Sequence, residues 1–174
     1  PLAGPVVCAA VIMPLDDNNL ILGVDDSKKV TEKNRRILSE TIKNKAIAYS
    51  ICAVNEEVID EINILNATKR CMKNAIESLS LKPDCVLIDA VDLDIDVETR
   101  PIIKGDAKSY VIGAASIIAK VYRDALMDEY DERYPEYGFK KNKGYGTKEH
   151  INAIRTVGPC PIHRKTFIKN FWEV

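Results

Sequence analysis

At 174 residues, with 46% hydrophobic and 29% charged side chains and a net charge of −1, the chain is one ordinary globular domain, or one with an appendage, long enough for a real core. No apolar run approaches the ~20 residues a membrane-spanning helix needs, and no basic segment followed by an apolar one marks a secretory signal. The five cysteines (8, 52, 71, 85 and 160) are scattered, odd in number and free of C-x-x-C or Cys/His metal spacing, which suits a reduced, cytoplasmic protein with buried thiols.

The chain opens on the loop PLAGP and enters an apolar strand, VVCAAVIM (6–13), patterned for burial on both faces. LDDNNL (15–20) reads as a turn, and 20–30 as a strand or loop ending in Ser27-Lys28-Lys29. Thr31 caps a helix whose Ile37, Leu38, Thr41 and Ile42 form one apolar face up to about Lys45. AIAYSICAV (46–54) is a strand, and Asn55 caps a helix with an apolar stripe at Val58, Ile62, Leu65, Met72, Ile76 and Leu79. Lys82-Pro83 stops it. CVLID (85–89) is a strand ending in a carboxylate, and residues 91–101 are a polar loop. The acids at 92, 94 and 96 lack the glycine and distal glutamate of a calcium loop.

A second strand then delivers Lys104-Gly105-Asp106 to a helix running from about Lys108 to Tyr130, with Val111, Ile112, Ala115, Ile118, Tyr122, Ala125 and Leu126 inward. Residues 139–150 form a basic, glycine-bearing loop, and Thr147 caps a last helix through about Thr156. Strands alternating with helices give an α/β fold with a helical C-terminal appendage. Residues 138–174 carry eight Lys/Arg against two acids, +6, leaving −7 for residues 1–137 of a chain whose total is −1. A basic end beside an acidic body suits a nucleic-acid grip next to a cation site, and equally a solvated basic tail.

Three groupings can carry chemistry. Asp89 and Asp106, at neighbouring strand and helix ends, can share a hard divalent cation, which takes oxygen ligands and needs neither histidine nor thiol. Spacing alone also allows them to be a plain strand end and a helix cap. In Lys143-Gly144-Tyr145-Gly146-Thr147 the glycines permit a sharp turn and close approach, leaving the tyrosine either projecting toward a base or sugar or folded back on the core. Ser27, Lys28 and Lys29 can hold a phosphate or be ordinary surface. Lys120 and Asp124 have i, i+4 spacing for an ion pair. His150 and His163 have no acid or nucleophile partner at a readable spacing.

PLAGPVVCAAVI, DDSKK, EINILNATKRCM, VLIDA, IIKGDAKS, GAASIIAKVYRD, YGFKKNKGYGTKEH and HRKTF, in this order, resemble the type 2 ribonucleases H (bacterial ribonuclease HII) along essentially the whole chain. The resemblance implies a ribonuclease H fold, with a mixed five-stranded sheet flanked by helices. Residues 1–135 would form the catalytic domain, and the basic helical segment 136–174 would help to bind substrate. It implies a monomeric endonuclease, not a membrane protein, that cuts the RNA strand of RNA–DNA hybrids and single ribonucleotides in duplex DNA. Two Mg²⁺ or Mn²⁺ ions would serve the hydrolysis, leaving 5′-phosphate and 3′-hydroxyl ends. By the same resemblance Asp89 and Asp106 are the third and fourth active-site acids, and Tyr145 packs against the ribonucleotide–deoxynucleotide junction. Ser27, Lys28, Lys29, Lys143 and Arg164 lie on the substrate side.

The family's first strand, with an adjacent Asp-Glu pair and a Gly-Arg-Gly, has no match in residues 1–174. An unpaired central strand edge costs about 1–3 kcal/mol per buried backbone group, so about 10–20 further N-terminal residues are expected from strand and loop sizes. Without them a non-catalytic nucleic-acid binder is the alternative. A junction resolvase or integrase of the same fold would cut all-DNA substrates, which the KGYGT segment argues against.

Overall fold

The computed structural model describes residues 1–14, 16–24 and 30–172. In chain order it contains β1 (Val6–Ile12), α1 (Glu32–Lys45), β2 (Ala48–Val54), α2 (Glu56–Glu77), β3 (Cys85–Asp89), β4 (Glu98–Ile102), α3 (Gly105–Lys108), α4 (Tyr110–Arg133), α5 (Phe139–Asn142), α6 (Lys148–Val157) and α7 (Lys165–Ile168). Among the described residues the strands form two pairs, β1 with β2 and β3 with β4. No helix among them is long and apolar enough to cross a membrane.

Capping sets several boundaries. The Thr31 hydroxyl accepts from Asn34 N–H and opens α1, and the Thr147 hydroxyl accepts from His150 N–H and opens α6. β4 begins inside the stretch expected as loop, and Pro101 lies within it opposite Ile88. Pro101 is exposed, so its missing N–H costs nothing at an edge position. In α2, Asn63 leaves helical geometry (φ 65°, ψ 166°) while its side chain accepts from Asn66 N–H, so the element is two helical pieces across a kink. The expected stripe is displaced accordingly. Leu65 is exposed, and the fully buried positions are Ile59, Ala67, Cys71 and Ala75, because small side chains permit the closest approach. In α4 the inward face holds Ile112, Ala114, Ile117, Ile118 and Met127, whereas Tyr122 is exposed.

The chain compacts as two units, one of residues 7–52 and 69–121, the other of residues 1–6, 53–68 and 122–174. Residues 136–174 share a unit with the opening loop and much of α4. The first unit has its core at Met13, Ile21, Ile42, Ala114, Ile117 and Ile118, with Ala9, Val11 and Leu38 packed against it. Ser50 of β2 donates its hydroxyl to the Ala75 carbonyl of α2, which satisfies a buried polar group. The second unit has its core at Ala3, Met127, Tyr137, Phe139, Ile154, Ile162 and Ile168, with Leu2 and Trp172 against it. The basic tail is thus partly core, and Ile162, His163 and Arg164 are all buried.

Two guanidiniums fasten the opening loop in that second unit. Arg123 donates from Nε to Pro5 O (3.2 Å), from Nη2 to Ala3 O (3.2 Å) and from Nη1 to Lys143 O (2.9 Å). Arg164, 2% exposed, donates from Nε and Nη2 to Gly4 O at 3.0 and 2.8 Å. Burial lowers the pKa of both, that of Arg164 down to about 10, with the Arg123 charge adding to the effect. Glu56 is nearly buried, and one of its carboxylate oxygens makes no hydrogen bond. Burial raises its pKa against the opposing pull of Arg164 and Arg123. Arg164→Met is expected to lower unfolding free energy by about 2–5 kcal/mol, because a buried carbonyl loses its donors and Glu56 loses a nearby cation. Arg164→Lys recovers little of this, since an ammonium lacks the planar fork. Urea denaturation of the three proteins measures both differences.

Candidate active site

The acidic pair lies in the unit of residues 7–52 and 69–121. β3 runs parallel to β4 with Asp89 opposite Ile102. Immediately after Asp89 the chain turns away through Ala90 at φ 53°, whose N–H still donates to Ile102 O (3.1 Å). β4 leaves through Lys104 at φ 57° into α3. Gly105 N–H there donates to Asp89 Oδ1 at 2.8 Å. Asp106 is the next residue, so the strand end and the helix start are joined by the Asp89 carboxylate and the Gly105 backbone. Gly105 lets the turn approach closely: a Cβ there would lie 2.6 Å from Ile112 Cδ1 and 3.3 Å from the Asp89 Cα, so those neighbours would have to shift. Both aspartates are half-buried, which restricts their carboxylates while leaving them accessible.

This donor set fits a hard divalent cation, because two oxygen ligands on rigid backbone, with water completing the sphere, suit Mg²⁺. Among the described residues no three His, Cys, Asp or Glu side chains gather closely enough to hold a metal.

The tyrosine loop lies in the other unit. Lys143 and Gly144 take positive φ, 49° and 79°. A Cβ at Gly144 would strike the Ala3 carbonyl oxygen, so only glycine fits there. Asn142 holds the turn from inside. Its Nδ2 donates to Tyr137 O (2.7 Å), and its Oδ1 accepts from Gly144 N–H (2.7 Å). Leu2 N–H donates to Gly144 O at 2.6 Å. The Tyr145 ring is 52% exposed with the Arg123 guanidinium 6.0 Å from its centroid. Of the two conformations open from sequence, the ring takes the projecting one.

Two expected substrate contacts have other employment. The Lys143 ammonium is paired with the Asp128 carboxylate in a mostly buried ion pair. Arg164 is inside the protein, bonded to the opening loop. The exposed cations flanking the tyrosine loop are Lys140, Lys141 and Lys148. Ser27, Lys28 and Lys29 lie outside the described residues.

Sequence reasoning missed Arg123 and the two histidines. His150 and His163 are 13 residues apart, yet their Nε2 atoms lie 2.9 Å apart in the interior. The available signal was that His150 falls four residues before Ile154, on the inward face of α6. Arg123 likewise stands four residues before the buried Met127.

Two comparisons of structure define the class. The chain superposes on a solved ribonuclease H2 from Pyrococcus horikoshii with TM-score 0.78 and 29% identity, covering 99% of this chain and 89% of that one. It superposes equally well, at 25% identity, on a ribonuclease HII from Archaeoglobus fulgidus solved in a complex with PCNA, covering 99% of this chain and 92% of that one. The fold is that of the ribonucleases H. The ribonuclease HII family model matches residues 1–173. The ribonuclease HII of Ruminiclostridium cellulolyticum is 55% identical over 99% of this chain and 68% of its own length. That of Acetivibrio thermocellus is 57% identical over 98% of this chain and 66% of its own. The chain belongs to the ribonuclease HII family and spans about two thirds of the length of these curated relatives.

The buried histidines also set an acid limit on the fold. Burial lowers the His150 pKa and brings that of His163 down to about 4 from an ordinary 6.5. The unfolded chain therefore binds the proton first. Stability from this source is complete above pH 6.5 and is lost as pH falls toward 4. Between pH 6.5 and 5 the protein is expected to lose about 2 kcal/mol through His163 alone, and His163→Gln should show a correspondingly shallower decline. Denaturant titrations of both proteins at the two pH values test this.

Proposed function

We propose that the protein is a metal-dependent endoribonuclease that hydrolyses the RNA strand of RNA–DNA hybrids and cuts beside single ribonucleotides in duplex DNA, leaving 5′-phosphate and 3′-hydroxyl ends. Membership of the ribonuclease HII family supports the reaction class. The observation that supports it in this chain is the hydrogen bond from Gly105 N–H to Asp89 Oδ1, which ties the Asp89 carboxylate to the residue preceding Asp106. Asp89 and Asp106 would hold Mg²⁺ or Mn²⁺, which supplies a polarised water and stabilises charge on the leaving oxygen.

The chain's own residues supply position. The parallel β3–β4 pair fixes the Asp89 backbone, and the Gly105 N–H orients its carboxylate. Tyr145, on a loop bonded at almost every backbone position, offers a ring face to a sugar or base. The 2′-hydroxyl is the group by which such a contact separates RNA from DNA. Lys140, Lys141 and Lys148 supply positive charge for the phosphate backbone. Binding without cleavage is the competing reading, since among the described residues no three His, Cys, Asp or Glu side chains gather to hold a metal ion.

The deciding assay uses the protein at its natural length, Mg²⁺ or Mn²⁺, and a duplex with one ribonucleotide beside its all-DNA counterpart. Cleavage of the first alone is expected. Asp89→Asn and Asp106→Asn should each lower turnover by at least ~100-fold while duplex binding changes little, since they remove charge stabilisation at the reacting group. Binding without cleavage in the unsubstituted protein establishes the competing reading, and equal cutting of both duplexes refutes ribonucleotide selection.

A further inference from the structure

The histidine pair sits in a compact aromatic setting. Tyr137 stacks on Phe139 at 5.3 Å and meets the His163 ring edge-on at 4.8 Å, while Phe139 meets His150 at 90° and 5.3 Å. His150 is 0% and His163 2% exposed. Four ring nitrogens must therefore be satisfied from inside the protein.

One arrangement of protons gives every ring nitrogen a complementary partner, although His163 Nδ1 also lies 3.2 Å from the Cys160 carbonyl oxygen. Cys160 N–H donates to His163 Nδ1 at 2.9 Å, so that nitrogen is an acceptor and the ring proton of neutral His163 is on Nε2. Nε2 is 2.9 Å from His150 Nε2, which must then accept. The proton of His150 is left on Nδ1, 2.9 Å from the Tyr145 carbonyl oxygen. As an acceptor His163 Nδ1 can also take the thiol proton of Cys160, whose Sγ lies 3.2 Å away. The reverse direction fails at the Tyr145 end, because it sets a lone pair of His150 Nδ1 against those of the Tyr145 carbonyl; at the other end a protonated His163 Nδ1 would turn to the Cys160 carbonyl oxygen (3.2 Å) and leave Cys160 N–H without its acceptor. Burial keeps both rings neutral, as the arrangement requires.

We propose that His163 and His150 are positioning residues: a directed relay, Cys160 N–H to His163 to His150 to Tyr145 C=O, that fixes the peptide plane after Tyr145 and so aims the exposed tyrosine ring. The carbonyl also accepts from Thr147 N–H at 2.9 Å, and two donors from different directions leave that plane little freedom. The relay starts in the C-terminal tail, which is itself bonded to the opening loop by Arg164 N–H to Leu2 O (2.9 Å). Its consequence for substrate rests on the reading of Tyr145 as a ribonucleotide contact.

Long-range ¹H–¹⁵N correlation spectra of the histidines at pH 7 test the relay itself. The expected result is the Nδ1–H tautomer for His150 and the Nε2–H tautomer for His163. The opposite pair, or a mixture, overturns the proposal. His150→Asn and His150→Leu then test what the relay positions, since asparagine places an amide N–H where Nδ1–H stood and leucine does not. His150→Leu should shift the Tyr145 and Gly146 amide resonances and weaken binding of a ribonucleotide-containing duplex about five- to tenfold, the loss of one hydrogen bond, with all-DNA binding unchanged. His150→Asn should restore both readouts to near the unsubstituted values. Equal loss in the two variants marks a purely structural role and overturns the proposal, as does no change in either. If the unsubstituted protein shows no ribonucleotide preference, the substrate reading fails by itself, and the tautomers and amide resonances still decide the relay.

Discussion

The arrangement of residues 1–6, 53–68 and 122–174 depends on backbone carbonyls held by buried guanidiniums. A loop of sequence PLAGP has few N–H groups to offer, since two of its five residues are proline, and its carbonyls at 3, 4 and 5 point inward. Buried carbonyls without donors are costly. Arg123 and Arg164 supply those donors in fork geometry that lysine cannot reproduce. Because Arg123 also reaches Lys143 O, the same cation that secures the opening loop secures the turn before Tyr145. Two segments more than a hundred residues apart in sequence are made one surface by a single side chain.

The acidic pair is built by different means. Here the parallel pairing of β3 with β4 fixes the strand end, and one backbone N–H fixes the carboxylate on it. A carboxylate oriented by main chain has fewer ways to relax than one oriented by another side chain, and that restraint is what a metal ligand needs. The close approach of Gly105 to Asp89 is the geometric condition for it, so the Lys-Gly-Asp order has a physical meaning beyond the aspartate alone.

How much of this was readable from the sequence depended on whether a residue's role was local. The caps Thr31 and Thr147, the strand 85–89 and the meeting of Asp89 with the Gly105–Asp106 turn all arise from short-range pattern, and the structure contains them. The kink at Asn63 was hidden because the apolar periodicity runs across it, while the cap from Asn63 to Asn66 overrides that periodicity. Pro101 read as the end of a loop because proline usually interrupts strands, and only the edge position of β4 makes it harmless. The destinations of Arg123, Arg164 and Lys143 were unreadable in principle. A cation in sequence carries no mark of whether it meets phosphate, carboxylate or backbone carbonyl, and all three of these are turned inward. The histidine pair failed for the same reason, being a contact between an α6 side chain and a tail without pattern.

Backbone strain gives an independent pointer to the same places. Among the described residues, four that are not glycine have positive φ: Asn63, Ala90, Lys104 and Lys143. Such a conformation is disfavoured for residues with a Cβ and persists where the surroundings impose it. Asn63 is the kink in α2, where a short polar side chain tolerates the geometry and caps the second helical piece. The other three immediately follow Asp89, precede the Gly105–Asp106 turn and precede the Gly144–Tyr145 turn. Alanine and lysine have no intrinsic reason to adopt this geometry, so each is held there by the contacts around it: the Ile102 carbonyl at Ala90, the short helix after Lys104, and the Phe139 and Arg123 bonds at Lys143. Among the described residues, non-glycine strain thus falls beside Asp89, beside the Gly105–Asp106 turn and beside the exposed tyrosine, with only Asn63 elsewhere, and it costs folding free energy at the places where those side chains stand.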